Sequence, residues 1–259
     1  MRHHLRHHLR LRRTAIAAVC LATAATAGLT ACGSEDGKSG SAKEAAKGPF
    51  AGLSGGEIAD KAVKATSGAE SLRIKGDVTD GEAGLISLNM AMDTKGKCAG
   101  TMGMNKEGSI ELIVPGKTVY MKYDEEFLRA QSKGEPKADV QAAVDMLADR
   151  WAKTKATSAD AKEIAAFCDL DIVLADFKDV SSAARRGGTT KVDGVPAIKL
   201  METDGKDKYT LYVATEGKPY LLRVDTAKGG KVETLKFGDY DKPVKTTPPT
   251  GDVLDLDKL

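Results

Sequence analysis

Residues 85–104 constrain the fold of this chain more than any other stretch. Two sets of residues alternate there with small or polar ones: Ile86, Leu88, Met90 and Met92, then Cys98, Gly100, Met102 and Met104. Such alternation predicts two strands, each with one buried face. Thr94-Lys95-Gly96 fits a three-residue hairpin loop with glycine in the left-handed position, and this loop places Met92 opposite Cys98. The four methionines therefore share one face of a β-hairpin.

More strands are predicted on both sides of this hairpin. Residues 72–78 precede it, and residues 109–114 and 118–123 follow it with the same alternation. In the last third, short turns such as Asp193-Gly194 separate five more candidate strands: 189–192, 195–203, 209–214, 219–225 and 231–240. Strands joined by turns this short form an antiparallel meander, and we expect about nine to eleven of them in one sheet.

Two regions have a helical period instead. Ser54 and Glu57 form a capping box at the start of a short helix with Ile58 and Ala62 on its apolar side. Between residues 124 and 177, short helices are predicted at 125–131, 161–167 and 169–175, and a longer one has an apolar stripe: Val140, Val144, Leu147 and Trp151. We therefore predict an α+β fold, in which a large curved antiparallel sheet forms a half-barrel with a helical layer on its concave face.

The first 32 residues predict export and membrane attachment. A basic segment, 1–13, precedes an apolar run, 14–29, which is shorter than the ~20 residues of a spanning helix. Leu29-Thr30-Ala31-Cys32 resembles the lipobox read by lipoprotein signal peptidase. This resemblance implies cleavage before Cys32, a diacylglycerol on its sulfur, and an acyl chain such as palmitate on the new amino terminus. The alternative is an ordinary secreted protein in which Cys32 happens to lie near the cleavage site.

We accordingly divide the chain into a signal peptide, 1–31, a flexible tether, 32–53, and a single domain, 54–259. Residues 33–52 are mostly Gly, Ser, Lys, Glu and Ala without apolar periodicity, which is typical of a flexible linker. Two or three acyl chains hold a protein stably in a bilayer. The expected location is therefore the extracytoplasmic face of the cell membrane, with the protein anchored through lipid.

Removal of the signal peptide changes what the composition implies. All four histidines lie in that segment, which excludes a Ser-His-Asp triad, a Cys-His pair and a His-ligated zinc site from the mature chain. The segment also holds five of the 39 basic residues, which leaves 34 against 37 acidic ones and a net charge of about −3. Such a charge does not favour a nucleic acid partner. We predict no catalytic residue, no cofactor and no metal site.

Two cysteines remain in the predicted domain, because Cys20 leaves with the signal peptide and Cys32 carries the anchor. In an oxidising compartment, Cys98 and Cys168 most simply form one disulfide, which would join the sheet to the helical layer. Closing a loop of this length restricts the unfolded chain by about 4 kcal/mol in the chain-entropy model. The alternative is a free reactive thiol pair, but the chain has no Cys-x-x-Cys motif and no histidine to activate a thiolate.

Several short motifs, taken in order, resemble one family. They are the Met-rich hairpin, Thr118-Val119-Tyr120-Met121-Lys122, Arg150-Trp151, Phe167-Cys168-Asp169-Leu170, Val192-Asp193-Gly194-Val195-Pro196-Ala197 and Phe237-Gly238-Asp239-Tyr240. Together with the lipobox, they resemble actinobacterial lipoproteins of the LppX and LprG type, whose fold is similar to the carriers LolA and LolB. The resemblance spans nearly all of residues 57–256. It implies a half-barrel with helices as a lid over a hydrophobic cavity for acyl chains, and it implies no catalytic residue.

The candidate site is the apolar side of the sheet under the helices. Methionine adapts its shape to irregular apolar ligands, so the run of methionines favours a ligand-lining wall, although each one alone fits an ordinary core. We predict that ten residues line the cavity: Ile86, Leu88, Met90, Met92, Met102, Met104, Leu112, Met121, Val144 and Leu147.

Two charged stretches are further candidate sites. Asp124-Glu125-Glu126 lacks the spacing of a calcium loop, and we predict that these carboxylates are solvated. Arg185-Arg186-Gly187-Gly188 is predicted as a short basic turn, which is either an exposed loop or a contact for lipid phosphate.

These observations predict a membrane-anchored monomer that is not an enzyme. It would bind the acyl chains of a lipid, glycolipid or lipoprotein and carry or transfer them, with no bond made or broken. The alternative is a surface-anchored lipoprotein with a protein-interaction, structural or envelope-stress role, a closed core and no ligand. A cavity of roughly 300–1,000 Å³ would favour the first reading, and a filled core the second.

Overall fold

A computed structural model of the protein describes residues 49–80, 84–105, 107–158, 161–162, 167–174 and 183–259. The predicted signal peptide, Cys32 and the tether as far as residue 48 lie outside these ranges, as does most of the helix predicted at 161–167. Within the ranges, no helix has the length and hydrophobicity needed to cross a bilayer.

Twelve strands form one sheet in the described part of the chain. In chain order they are β1 Ser71–Asp80, β2 Gly84–Asp93, β3 Cys98–Met104, β4 Ser109–Val114, β5 Thr118–Tyr123, β6 Trp151–Lys155, β7 Arg185–Val192, β8 Val195–Asp204, β9 Asp207–Ala214, β10 Leu221–Lys228, β11 Lys231–Gly238 and β12 Val253–Asp255. Their order across the sheet is β12-β6-β5-β4-β3-β2-β1-β11-β10-β9-β8-β7. All neighbours are antiparallel except β12 and β6, which are parallel, and the sheet is open between its edges β12 and β7.

The Met-rich hairpin has the predicted register. Met92 pairs with Cys98, and Met90 pairs with Gly100. The Asp93 amide donates to the Lys97 carbonyl at 3.0 Å, and Gly96 has a φ of +75°. The three-residue loop therefore sets which residues share a face, as the alternation predicted.

The inner face of the sheet carries the hydrophobic core. Inward side chains from β1–β5 and β8–β11 join one buried cluster, whose members include Leu72, Met92, Leu112, Leu200 and Val213. Phe50, which lies inside the predicted tether, is also buried in this cluster. The folded structure therefore includes the last residues assigned to the tether.

Helix α1, Gly55–Ser67, covers the inner face of β7–β10. The Glu57 amide donates to Ser54 Oγ at 3.2 Å and the Ser54 amide donates to Glu57 Oε2 at 2.7 Å, so the predicted capping box is confirmed. Ile58 and Ala62 are fully buried under the helix. A Cβ on Gly55 would lie 2.2 Å from the Ala184 carbonyl oxygen, so glycine permits this close packing.

The helices from the middle of the chain are more peripheral. They are α2 Glu125–Gln131, α3 Lys137–Leu147 and the short α4 Leu170–Val173. Helices α2 and α3 pack on each other, and α2 contacts β4. Leu128 is the buried residue of α2 and Val144 that of α3, so these two helices expose most of their surface.

The disulfide joins the fourth helix to the sheet. Cys98 of β3 is bonded to Cys168, with 5.4 Å between their Cα atoms, and both residues are buried. Leu170 and Leu174 follow in sequence and belong to the inner-face core. The structure thus contains the predicted disulfide. This bond holds residues 167–174 against the sheet.

Trp151 was assigned wrongly to the helical stripe of Val140, Val144 and Leu147. Helix α3 ends at Leu147, and Asp149 adopts a left-handed φ of +55° that ends the helical geometry. Trp151 then begins β6, in which Ala152 and Thr154 are buried. Spacing alone extended the stripe one turn too far, because three residues, 148–150, separate the helix from the strand.

The basic turn predicted at Arg185-Arg186-Gly187-Gly188 is also wrong, because these residues lie in β7. The register of β7 against β8 shifts between Arg186 and Thr189. The Arg186 guanidinium donates to the carbonyl oxygens of Phe50 at 2.7 Å and Leu53 at 2.8 Å. Arg186 therefore holds residues 50–53 against β7.

Candidate functional site

The eight strand residues among the ten predicted site residues lie on one face. Met102 pairs with Leu88 and with Ile110, and Leu112 pairs with Met121. Directly paired residues of neighbouring strands point to the same side of a sheet, and alternate residues of a strand do so too. The whole methionine run therefore faces inward, together with Leu112.

Half of this face is packed solid. Met90, Met92, Leu112 and Met121 are between 2% and 5% exposed, and all four belong to the core cluster. They lie near those ends of strands β2–β5 that are closest to the disulfide. These four residues are therefore packed as ordinary core residues. The sequence allowed this role as well as that of a ligand-lining wall.

The other half of the face is partly accessible. Ile86, Leu88 and Met104 point inward yet remain half-buried, and so does Val78, which pairs with Ile86. Met102 and Ile110 continue the surface with 9% and 7% exposure. We name this surface the open patch and define it by six residues: Val78, Ile86, Leu88, Met102, Met104 and Ile110. It is a continuous apolar surface on the core side of the sheet, distant from the disulfide.

Helices α2 and α3 lie beside the open patch. Ile110 pairs with Tyr123, and the Tyr123 ring stacks on Phe127 of α2 with 5.5 Å between centroids. Val144 is buried and Leu147 half-buried on α3, outside the main core cluster. The two helical site residues are thus separate from the packed methionines.

The inner face becomes polar on the other side of β1. Register places four polar side chains on the inner face of β8–β11, next to Leu235: Glu202, Tyr209, Thr226 and Glu233. All four are half-buried. The accessible end of the inner face therefore has an apolar half on β1–β4 and a polar half on β8–β11. These four residues are not among the predicted site residues, although the alternation in the last third of the sequence indicates which face they lie on.

The outer face has a different electrostatic character. Burial works to raise the pKa of Asp225, but hydrogen bonds from Arg223 Nε at 2.6 Å, Thr234 Oγ1 at 2.7 Å and the Tyr212 hydroxyl at 2.9 Å outweigh it, so this pKa is lowered. Tyr212, Asp225 and Thr234 belong to β9, β10 and β11. The carboxylate thus connects three strands and has a structural role. Among the described residues, no group of acidic or cysteine side chains could hold a metal ion.

Two grooves lie away from the open patch. One, of about 310 Å³, lies between the hairpin tip at Lys95 and the start of α4 at Asp169. The other, of about 490 Å³, lies on the outer face between β1–β3 and residues 242–245. None of the ten predicted site residues lines either groove.

No protein-family model matches the sequence, and no curated protein matches it. Solved structures do resemble the fold. LprF from Mycobacterium bovis is 15% identical over 76% of this chain and 97% of its own, with a TM-score of 0.49. The lipoprotein LppX from Mycobacterium tuberculosis is 15% identical over 73% and 97%, with a TM-score of 0.43.

A LolA superfamily protein from Nitrosomonas europaea is 10% identical over 76% of this chain and 96% of its own, with a TM-score of 0.23. The structural neighbours thus include LppX and a protein of the LolA superfamily. The similarity concerns the fold.

Proposed function

We propose that this chain is a lipoprotein anchored on the extracytoplasmic face of the cell membrane, and that it binds an acyl chain of a lipid, glycolipid or lipoprotein. One observation carries the proposal. Ile86, Leu88 and Met104 point to the core side of the sheet and yet stay half-exposed. Apolar side chains that face inward and are only partly covered offer a surface to a hydrocarbon chain.

The energetics favour such a ligand. Each methylene removed from water contributes about 0.8 kcal/mol. A methionine-rich surface adapts to chains of different shape, because the unbranched thioether has several accessible rotamers. The packed end of the inner face would stop the chain at Met90 and Leu112. Binding would then be reversible, and the protein would carry or hand over its ligand without chemistry.

The polar half of the inner face supports a ligand with a headgroup. An acyl chain on the open patch would direct its polar end toward Tyr209, Thr226 and Glu233. Hydroxyl and carboxylate groups suit the hydroxyls of a sugar or glycerol. A glycolipid or a glycerolipid therefore fits this face better than a plain hydrocarbon.

The test is a pair of matched substitutions on β2. Leu88→Trp would fill the open patch, whereas Leu85→Trp changes a side chain on the opposite face of the same strand that is 41% exposed. We expect the native protein and Leu85→Trp to retain acyl lipid through purification, as read by native mass spectrometry. Leu88→Trp should lose it. Lipid-free native protein, or equal retention by both variants, would contradict the proposal.

The second candidate is a lipoprotein that acts through protein contacts. The packing of Met90, Met92, Leu112 and Met121 favours it, since half of the predicted ligand wall is ordinary core. This second function would be supported if the native protein, Leu85→Trp and Leu88→Trp all purify without lipid and all keep a native melting curve.

A further inference from the structure

The last part of the chain crosses the outer face of the sheet. Strand β11 ends at Gly238 beside β1, and β12 begins at Val253 beside β6. Four strands, β2–β5, lie between these two positions. We name residues 243–252 the strap.

The strap is held at its ends and not in its middle. Before it, the Asp241 amide donates to the Ser71 carbonyl at 2.9 Å, and the Ser71 hydroxyl donates to the Lys242 carbonyl at 2.6 Å. After it, β12 pairs with β6. Between these points, the described chain has no backbone–backbone hydrogen bond that involves residues 243–252.

The strap is longer than the distance that it spans. Arg73 pairs with Asp239 at 3.2 Å, and Lys153 pairs with Asp255 at 3.4 Å, and both cations lie in one row across the sheet. Five strand spacings separate β1 from β6, about 24 Å in all. The 16 peptide units from Asp239 to Asp255, which include the strap, can extend to about 55 Å. The strap therefore has slack, and it can stand away from the sheet and leave space beneath it.

The floor of that space is apolar. Ala91 lies between inward Met90 and Met92, so it faces outward, yet it is only 8% exposed. Ala99 pairs with it on β3. Both line the groove of about 490 Å³ together with Pro243 and Val244 of the strap. This volume falls within the roughly 300–1,000 Å³ of small-molecule sites.

The rim of the groove is cationic. Arg73, Lys242 and Lys245 line it, against the single carboxylate of Asp239. Asp239 already accepts from Arg73 Nε and, at 2.8 Å, from Lys242 Nζ. Three cations and one anion leave a net charge of +2 at the rim, so the groove combines small apolar side chains with an excess of positive charge.

We propose that the groove under the strap is a second binding site, for a single-chain amphiphile with an anionic head of the fatty-acid type. Its hydrocarbon chain would lie on Ala91 and Ala99 beneath Val244. Its carboxylate would meet Lys245 and Lys242, whose charges complement it. This site lies on the opposite face of the sheet from the open patch. The evidence for it is therefore independent of the evidence for the proposed function.

The experiment measures oleate binding to the mature chain by calorimetry, with the neutral ester mono-olein as the matched ligand. Lys245→Glu should weaken oleate binding about fivefold, as expected for one exposed charge pair, and leave mono-olein unchanged. Lys245 is exposed, so this variant should keep the native melting temperature. Ala99→Leu places a larger side chain in the groove and should weaken both ligands.

The variant Leu88→Trp separates the two sites, because it fills the open patch and leaves the groove intact. Oleate binding that persists in Leu88→Trp and falls in Lys245→Glu would support the second site. Absence of oleate binding, equal oleate affinity in Lys245→Glu, or complete loss in Leu88→Trp would overturn it. Acyl lipid retained on the open patch would in each case still support the proposed function.

Discussion

Two glycines in strands limit what the sheet tolerates at single positions. Gly76 of β1 and Gly100 of β3 have φ values of +149° and +157°, which side chains rarely adopt. A Cβ would lie 1.9 Å from the Thr234 carbonyl oxygen at Gly76, and 2.0 Å from the Asn89 carbonyl oxygen at Gly100. Glycine in a strand interior often marks such a close backbone approach. Neither glycine can be replaced without moving a neighbouring strand.

Gly100→Ala should lower the free energy of unfolding by about 3 kcal/mol, because backbone strain and a clash with β2 add up. Gly116→Ala is the matched control, since Gly116 has the same φ as Gly76 and open space around it. It should lower stability by about 1 kcal/mol from strain alone. Urea unfolding of both variants measures the difference, and equal values would show that β2 yields to the added methyl group.

Asp241 should make stability depend on acid pH. Hydrogen bonds from the Tyr220 hydroxyl, from Lys218 Nζ and from the Glu70 amide lower its pKa to about 2. A lowered carboxyl pKa means that its stabilisation is complete above about pH 4 and disappears as pH falls through 2. Asp241→Asn should therefore unfold at lower urea than the native protein at pH 5, and the gap should close toward pH 2.

Unfolding midpoints at several pH values between 2 and 5 measure this gap. Glu216→Gln, in the exposed turn before β10, is the control and should follow the native protein throughout. A gap of constant size across that range would show that the amide disturbs packing and that the charge of Asp241 has no role.

Among the elements, the fourth helix depends most on a covalent link. The short α4 has one buried residue, Leu170, and the disulfide between Cys98 and Cys168 holds it against β3. The two cysteines are 70 residues apart. A crosslink over a loop of this length restricts the unfolded chain by about 4 kcal/mol in the chain-entropy model.

Cys98→Ser should therefore destabilise the protein by about that amount, and a reducing agent should do the same to the native chain. The double variant Cys98→Ser, Cys168→Ser should match the single one, because either change removes the same bond. Thermal melting with and without reductant measures the effect. Two thiols that titrate in the native, unreduced protein would contradict this prediction.

The elements also show how far sequence reasoning extends. The hairpin register was predictable because the loop at Thr94-Lys95-Gly96 and the alternation agree on one pairing. Strands β6 and β12 were missed because they have five and three residues and because their parallel pairing joins positions about a hundred residues apart. The sheet therefore has twelve strands, whereas about nine to eleven were predicted.

The site was predictable only in part. Alternation gives the face on which Leu88 or Met92 lies, and this holds for all eight strand residues. It does not give the coverage of that face, which depends on where α1 and the Cys168 segment pack. The distinction between packed Met92 and accessible Leu88 is therefore a property of the tertiary structure.

For the molecule as a whole, the expected anchor decides where binding takes place. Cys32→Ala should release the protein from the membrane without unfolding it, because the residue precedes the predicted domain, 54–259. Fractionation of cells that express each form, followed by a melting curve of the soluble product, measures both effects. Unchanged membrane retention would show that the lipobox assignment is wrong.

The open sheet has two edges, and each is poorly suited to pairing with another chain. On one side, the three-residue β12 covers β6, and on the other, β7 contains a register shift and two adjacent glycines. Short or irregular edges resist strand addition. Proteins attached to a membrane are concentrated in two dimensions, where flat exposed edges would pair and start aggregation. If the proposed anchor holds this chain in a membrane, its short and irregular edge strands would oppose such edge-to-edge pairing at high surface density.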